Sequence, residues 1–147
     1  MLNAKEGIMN FKRFIASVIA LFITFMALDS LIHNIILMDS YASLKNLWRP
    51  EMASLMWMMP LITFILSILV TLLFIRGYQD RGIMEGVRFG ILTGLLTTGL
   101  GAFSQYWMYP VPLSLAVKWC VFGLLEFIIA GIVLSLVYRN PEEVDIE

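Results

Sequence analysis

Long apolar runs alternate with short polar connections along most of the chain. A helix needs about 20 mainly apolar residues to cross a bilayer, and each of the four runs is long enough. The stretch from Tyr109 to Pro112 cannot continue a helix, because Pro110 and Pro112 lack backbone donors. The pattern therefore predicts four helices, over about 11–38, 51–76, 82–107 and 112–138.

Short connections make successive helices antiparallel neighbours. We expect an all-α integral membrane protein that folds as an antiparallel four-transmembrane-helix bundle, with residues 1–139 forming a single transmembrane domain. Residues 140–147 are predicted to form an acidic cytoplasmic tail, because they carry too little apolar surface to fold on their own.

Composition agrees with a membrane location. Apolar residues make up 60% of the chain and charged residues 14%, whereas soluble domains average about 45–50% and about 25%. The expected partner is the lipid bilayer. A formal net charge of -1 leaves no broad basic surface, which argues against nucleic acid as a partner.

Lysine and arginine residues are unevenly distributed between the predicted helix ends, and basic connections stay in the cytoplasm. One side carries Lys45 and Arg49, and the other side carries most of the remaining basic residues. We expect a multi-pass protein of the inner (plasma) membrane with both termini in the cytoplasm. The cytoplasmic set is Lys5, Lys12, Arg13, Arg76, Arg81, Arg88 and Arg139.

Ionisable residues interrupt the first and last apolar runs. Helix 1 carries Asp29 and His33, and helix 4 carries Lys118 and Glu126. A charge facing lipid costs roughly 2.5 to 3.5 kcal/mol on the insertion scale. The four side chains are therefore expected to face one another inside the bundle, where their charges can sum to zero.

Two interpretations of this buried polar cluster remain open. The cluster can simply hold helix 1 in register with helix 4, since polar contacts between membrane helices select one packing arrangement. Alternatively, it conducts or senses a proton or a small solute, which is the usual meaning of ionisable residues within a membrane.

Helix 3 carries small residues at every fourth position of its first half. Gly82, Gly86, Gly90 and Gly94 allow a neighbouring backbone to approach closely, which favours helix packing within a bilayer. This packing surface can serve the bundle itself or a contact between two copies of the chain. Near the same end, Glu85 and Arg88 have the spacing of an i,i+3 ion pair.

Two further features bear on local structure and metals. Pro60 lies within the predicted second helix, where it is expected to free the carbonyl of Met56. A membrane helix either tolerates such a proline without further consequence or kinks at it. Methionine thioethers and one imidazole can hold Cu(I), although methionine is also an ordinary filler of irregular cores. We expect no metal and no cofactor; the alternative copper ligands are His33, Met52, Met56 and Met59.

No common catalytic motif of hydrolases, nucleotide-binding proteins or zinc proteases occurs in the sequence. The chain is therefore expected to act without catalysing a reaction. Acid–base chemistry by Asp29, His33 and Glu126 on a lipid or quinone stays open as an alternative.

Several short segments resemble a family of small four-span bacterial inner-membrane proteins with no named activity. The resemblance covers most of the chain and implies location and architecture only. The leading prediction is a membrane protein whose polar cluster conducts or senses a proton or small solute, with a second copy of the chain as its partner. The alternative is an accessory or structural subunit of a larger membrane complex. The segments that carry the resemblance are Asp29-Ser-Leu-Ile-His33, Leu47-Trp-Arg-Pro50, Gly86-Val-Arg-Phe-Gly90, Tyr109-Pro-Val-Pro112, and Lys118-Trp119 with Glu126.

Overall fold

The computed structural model describes residues 10–139, and every regular element in that range is a helix. The prediction of an all-helical chain with four long apolar helices is confirmed. The predicted tail, 140–147, lies outside the described residues, as does Lys5. In chain order the elements are α1 (Phe11–Leu31) with a π-helical continuation (Ile32–Ile36), α2 (Met38–Ala42), a 3-10 turn (Met52–Leu55), α3 (Met58–Gly77), α4 (Ile83–Gly94) with a π-helical continuation (Leu95–Gly99), α5 (Leu100–Met108) and α6 (Leu113–Tyr138).

Four continuous helical segments are long and apolar enough to cross a membrane, which suggests a multi-pass membrane protein. Large apolar side chains on each of these segments are exposed on the surface of the chain, as lipid-facing side chains are. The segments are Phe11–Ile36, Met52–Gly77, Ile83–Met108 and Leu113–Tyr138.

The first helical segment ends earlier than the sequence predicts. We expected it to reach Met38, but it ends at Ile36 because Leu37 leaves helical geometry, with φ -99° and ψ 3°. This turn buries the Leu37 side chain completely, against a cluster that includes Ile32 and Leu115. The short helix α2 begins directly after it.

Helix α6 is the central element of the described bundle, because it packs against α4, α5, α1 and, over a smaller area, α3. Helix α1 packs against both α6 and α3. The helices α1 and α6 are antiparallel: Phe25 and Phe127 have ring centroids 5.3 Å apart. Nearer one end, Arg13 donates to the carbonyl of Arg139 at 2.6 Å. We call this end of the bundle the Arg13 end.

Glycines bring α4 and α6 into backbone contact. An added Cβ at Gly90 would lie 2.6 Å from the Cα of Ile128, and one at Gly86 would lie 2.6 Å from the carbonyl carbon of Gly131. A Cβ at Gly94 would lie 3.0 Å from the Leu124 side chain. These three glycines of the predicted set therefore pack within the chain.

Gly82 has a different role from the one predicted. An added Cβ there would meet nothing within 4 Å, so the residue does not pack against another helix. Its φ is +69° and ψ -158°, and it precedes the first residue of α4. L side chains rarely adopt this backbone conformation. Gly82 therefore turns the chain into α4.

Pro60 does not free the carbonyl of Met56, in contrast to the prediction, and it does not lie in the middle of a helix. The α-helical part of its segment begins only at Met58, which puts Pro60 in the first turn of α3. Backbone N–H groups in the first turn form no hydrogen bond within the helix, so proline, which has no N–H, costs no such bond here. The carbonyl of Met56 accepts a hydrogen bond from the N–H of Met59 at 3.1 Å, so it is not free.

Glu85 caps a turn and does not form the predicted ion pair with Arg88. Its carboxylate accepts hydrogen bonds from the backbone N–H groups of Gln79, at 2.6 Å, and Arg81, at 2.8 Å. Within residues 10–139, the structure contains one ion pair, between His33 and Asp29. The connection between α3 and α4 is thus fixed by a side chain of α4.

Candidate functional site

The hydroxyl of Tyr41 is the centre of a polar network at the end of the bundle opposite the Arg13 end. It is hydrogen-bonded to Nδ1 of His33, and it accepts a hydrogen bond from the indole N–H of Trp119 at 2.7 Å. The backbone carbonyl of Tyr41 accepts from the indole N–H of Trp48 at 3.2 Å. Tyr41 is therefore held by three partners from α1's continuation, α6 and the connection after α2. We call this end of the bundle the Tyr41 end.

Aromatic packing fixes the orientation of the Tyr41 ring. The Tyr41 and His33 rings are stacked, with centroids 5.7 Å apart and planes 15° from parallel. The Trp48 ring meets Tyr41 edge-on at 5.6 Å. Burial raises the pKa of Tyr41 above its usual range; the hydrogen bond from Trp119 opposes this effect, and the nearby charge of Asp29 adds to it. Tyr41 thus remains a neutral hydrogen-bond donor and acceptor.

Asp29 and His33 form the inner part of the same network. Asp29 Oδ1 lies 3.6 Å from Nε2 of His33, one helical turn away on α1 and its continuation. The two side chains are 30% and 40% exposed, respectively. His33 lies in the π-helical turn Ile32–Ile36, and such turns occur often at functional sites because the extra residue changes where side chains point. Asp29 and His33 are thus brought together, in agreement with the predicted pairing.

Glu126 is the deepest ionisable residue of the site. It is buried on α6, with 7% of its surface exposed, and its Oε1 has no hydrogen-bond partner within the described part of the chain. Asp29 is close enough to interact with it electrostatically. Glu126 precedes Phe127, which packs against Phe25, so it lies about three residues, or roughly 4.5 Å, farther from the Tyr41 end than Asp29 does.

Lys118 forms no hydrogen bond or ion pair with the other three predicted cluster residues in residues 10–139. Its side chain is exposed, and its Nζ donates a hydrogen bond to Oγ of Ser40 at 3.1 Å. The structure therefore pairs Asp29 with His33 and places Glu126 within electrostatic range of Asp29, but it directs Lys118 toward the surface of the Tyr41 end. This arrangement suits a lysine near the end of a membrane helix, where the long side chain can reach water.

Buried hydroxyl groups continue the polar interior from Glu126 toward the Arg13 end. Thr63, Ser67 and Thr71 share one face of α3 and are all buried. Because α3 packs mainly on α1, with a smaller contact to α6, these hydroxyls lie against those two helices. Ser17 of α1 is also fully buried, and the hydroxyls of Ser17 and Thr71 have no hydrogen-bond partner among residues 10–139.

The order of these hydroxyls along the bundle follows from one aromatic contact. Phe64 packs edge-on against Phe22 with centroids 5.8 Å apart, which places Thr63 near the level of Phe22. Ser67 and Thr71 then follow at intervals of about 6 Å toward the Arg13 end. Polar groups thus occur from the Tyr41 end, through Glu126, to within a few residues of Arg13.

Metal-binding residues are not gathered at this site in the described part of the chain. No group of three or more His, Cys, Asp or Glu side chains there has the arrangement of a metal site. The methionines of the alternative copper site, Met52, Met56 and Met59, are all more than half exposed. Their side chains therefore point away from the bundle core that contains Glu126.

The sequence did not predict Tyr41, Trp119 or Ser40 as residues of the site. Tyr41 follows the break at Leu37, and only this break returns α2 to the face of the bundle that His33 occupies. The signal that was available is the presence of Trp119 directly beside Lys118, one residue from a position already assigned to the cluster.

Comparison of the chain with protein-family models, with curated proteins and with solved structures found no match.

Proposed function

We propose that the chain is a multi-pass protein of the bacterial inner (plasma) membrane that has both termini in the cytoplasm and belongs with small four-span inner-membrane proteins. The four long apolar helices support membrane insertion. The distribution of basic residues supports the orientation, because positive connections remain in the cytoplasm. The Tyr41 end, with Lys45 and Arg49 in its connection, then faces outward, and the Arg13 end faces the cytoplasm.

In that membrane, the polar cluster binds and releases protons, and the protein conducts or senses protons. The observation that carries this proposal is the state of Glu126, a buried carboxyl group with an unpartnered oxygen and a second carboxyl group, Asp29, nearby. A structural carboxylate in a bundle core is normally paired or hydrogen-bonded, because an isolated charge there is very costly. A carboxyl group that exchanges a proton instead avoids a permanent charge.

The surroundings of Glu126 provide proton-exchanging groups toward the Tyr41 end. Asp29, His33 and Tyr41 follow one another in that direction. An imidazole is the side chain best suited to exchange protons near neutral pH. Toward the Arg13 end, the buried polar side chains of α1 and α3 are hydroxyl groups, which can accept and donate a hydrogen bond at the same time. A single bundle of four helices leaves a narrow path, which fits a proton better than a larger solute.

Proton flux into proteoliposomes tests this function. Purified parent protein is reconstituted with a pH-sensitive dye inside the vesicles, and a potassium gradient with valinomycin drives proton entry. We expect flux above that of protein-free vesicles, loss of this flux in Glu126→Gln, and a reduced flux in Asp29→Asn. The matched control is Asp39→Asn, which removes an exposed carboxyl group of α2 and is expected to conduct like the parent. Equal flux in the parent, Glu126→Gln and Asp29→Asn would contradict the proposal.

An accessory role in a larger membrane complex is less well supported. A glycine surface open to another protein would favour that role, but Gly86, Gly90 and Gly94 lie against α6 of the same chain. A homo-oligomer remains part of the proposal, since several narrow units can act together. The mass of the detergent-solubilised protein, measured with light scattering, tests this part separately.

A further inference from the structure

The hydrogen bonds around Tyr41 have a direction that can be deduced from the chemistry of their groups. The indole N–H of Trp119 can only donate, so the Tyr41 hydroxyl oxygen accepts this hydrogen bond. The single proton of the Tyr41 hydroxyl is then free to be donated elsewhere. The group beside it is Nδ1 of His33.

The second ring nitrogen, Nε2, also indicates where the proton of the neutral His33 ring lies. Nε2 of His33 faces Oδ1 of Asp29, and an ionised carboxylate can only accept hydrogen bonds. A neutral imidazole has one nitrogen that donates and one that accepts, and the partner of one nitrogen decides the state of the other. With Tyr41 donating to Nδ1, the ring proton lies on Nε2 and points at Asp29.

We propose that Trp119 positions the Tyr41 hydroxyl, and that this hydroxyl both holds neutral His33 with its proton on Nε2, facing Asp29, and passes protons to it, so that the Tyr41 end of the site delivers protons inward to Glu126. The inward delivery rests on the proposed function, whereas the assignment of the ring proton does not. In one transfer, the Tyr41 hydroxyl gives its proton to Nδ1 and takes one from a hydronium ion, which is left as water, while the N–H at Nε2 gives its proton to Asp29. The ring stays neutral with its proton now on Nδ1, and Asp29 becomes protonated. Exchange of the ring protons with water at the partly exposed imidazole restores the starting tautomer. Tyr41 keeps a lone pair for that water, since Trp119 occupies only one.

The groups around His33 come from several elements. Asp29 faces it from α1, Tyr41 faces it from α2, and Glu126 of α6 acts on Asp29. Lys118, also on α6, is directed to Ser40, the residue before Tyr41. A change at Tyr41 therefore alters His33 directly, whereas a change at Glu126 reaches it only through Asp29.

His33 can be observed without ambiguity, because the chain contains a single histidine. The full-length protein is produced with 15N-labelled histidine and a histidine-free affinity tag, and is reconstituted in lipid bilayers for solid-state NMR. In alkaline buffer, where the imidazole is neutral, we expect Nε2 to be protonated and Nδ1 to be an acceptor. A proton on Nδ1 in the parent would overturn the proposal.

Two variants and a control test the positioning role. Tyr41→Phe keeps the aromatic ring but removes the donor to Nδ1, so the Nδ1 resonance is expected to shift and the opposite tautomer to appear. Trp119→Phe removes the N–H that orients the Tyr41 hydroxyl, and a smaller change in the same direction is expected. Tyr106→Phe removes an exposed hydroxyl from α5 and is expected to leave both nitrogen resonances unchanged. Parent-like nitrogen resonances in Tyr41→Phe would overturn the proposal.

Measurements of proton flux test inward delivery through Tyr41 separately from the position of the His33 ring proton. We expect flux in Tyr41→Phe to be several-fold lower than in Tyr106→Phe. Control-like flux in Tyr41→Phe, together with an altered His33 tautomer, would overturn inward delivery through Tyr41 while leaving the role of Glu126 intact. Loss of flux in Glu126→Gln with control-like flux in Tyr41→Phe would be the signature of that outcome.

Discussion

Gly86 of α4 and Gly131 of α6 face each other at a distance that leaves no room for a side chain on either residue. An added Cβ at Gly131 would lie 2.9 Å from the carbonyl carbon of Gly86, and one at Gly86 would lie 2.8 Å from Oγ of Ser135. Close backbone contact of this kind is a main source of attraction between helices in lipid. This contact fixes α4 on the helix that carries Glu126.

Substitution in this glycine contact is expected to destabilise the bundle. In Gly90→Ala the new Cβ would lie 2.6 Å from the Cα of Ile128, so α4 and α6 must separate. Overpacking of this kind costs typically about 1–3 kcal/mol, and we expect a lower thermal unfolding midpoint in detergent. The control is Gly101→Ala on α5, where the added Cβ would meet nothing within 4 Å. A midpoint of Gly90→Ala equal to or above that of Gly101→Ala would contradict the packing described here.

Removal of the fully buried hydroxyl of Thr71 distinguishes buried polar groups that conduct protons from groups that only contribute to the structure. Valine has nearly the same shape, and the hydroxyl that it removes has no partner among residues 10–139. Burying an unpaired hydroxyl costs about 1–3 kcal/mol, so Thr71→Val is expected to be at least as stable as the parent. We nevertheless expect its proton flux to fall, because the polar path toward the Arg13 end loses one group. Thr97→Val, at an exposed position, serves as the control; parent-like flux in Thr71→Val would show that protons do not use this hydroxyl.

The turn between α3 and α4 is expected to depend on Glu85. The carboxylate accepts from two backbone N–H groups, and hydrogen bonds to a charged group contribute about 1.5–3 kcal/mol each. Since the site is partly open to water, we expect Glu85→Ala to lose about 1–3 kcal/mol in total. Chemical unfolding in detergent measures this loss. Glu51→Ala, which removes an exposed carboxylate, is the control, and equal stability of the two variants would argue against the cap.

The raised pKa of Tyr78 leads us to expect a loss of folding stability at alkaline pH. Its pKa is raised above the usual value by burial, by the hydrogen bond that its hydroxyl donates to Asp80 at 2.7 Å, and by the charges of Asp80 and Glu85; Arg139 opposes these effects. The folded state therefore favours the neutral phenol. The associated stability is complete below the unfolded pKa of about 10 and is lost as the pH rises above it.

We expect the thermal midpoint of the parent to fall more steeply above about pH 10 than that of Tyr78→Phe, which has no proton to lose at this position. The midpoints of the two proteins are compared from pH 8 upward in the same detergent. Parallel curves throughout this range would contradict the assignment.

The long helices and the Asp29–His33 pair could be predicted because both depend on local spacing. Apolar runs set the helix lengths, and an i,i+4 spacing places two side chains on one helix face. The position of Lys118 could not be predicted in this way. The Lys118 side chain donates a hydrogen bond to Ser40. Ser40 lies within reach of Lys118 only because the backbone turns at Leu37.

The roles of Gly82 and Pro60 depend on where a helix begins. A shift of the start of α3 from about 51 to Met58 changes Pro60 from a residue inside the helix to one in the first turn. Gly82, similarly, is the residue before α4 and is not its first packing position. The spacing of four residues identified the glycines that pack against α6. It could not show that Gly82 has a turn conformation in the connection before α4 and therefore does not pack.

In the proposed function, Glu126 exchanges its proton with water at the Tyr41 end of the bundle. Infrared difference spectroscopy of oriented proteoliposomes tests it most directly, by recording the carbonyl stretch of a protonated carboxyl group while the pH is changed on one side only. We predict a band that responds to pH on the Tyr41 side, is absent from Glu126→Gln and is retained in Asp39→Asn. A spectrum of Glu126→Gln identical to that of the parent would contradict the claim.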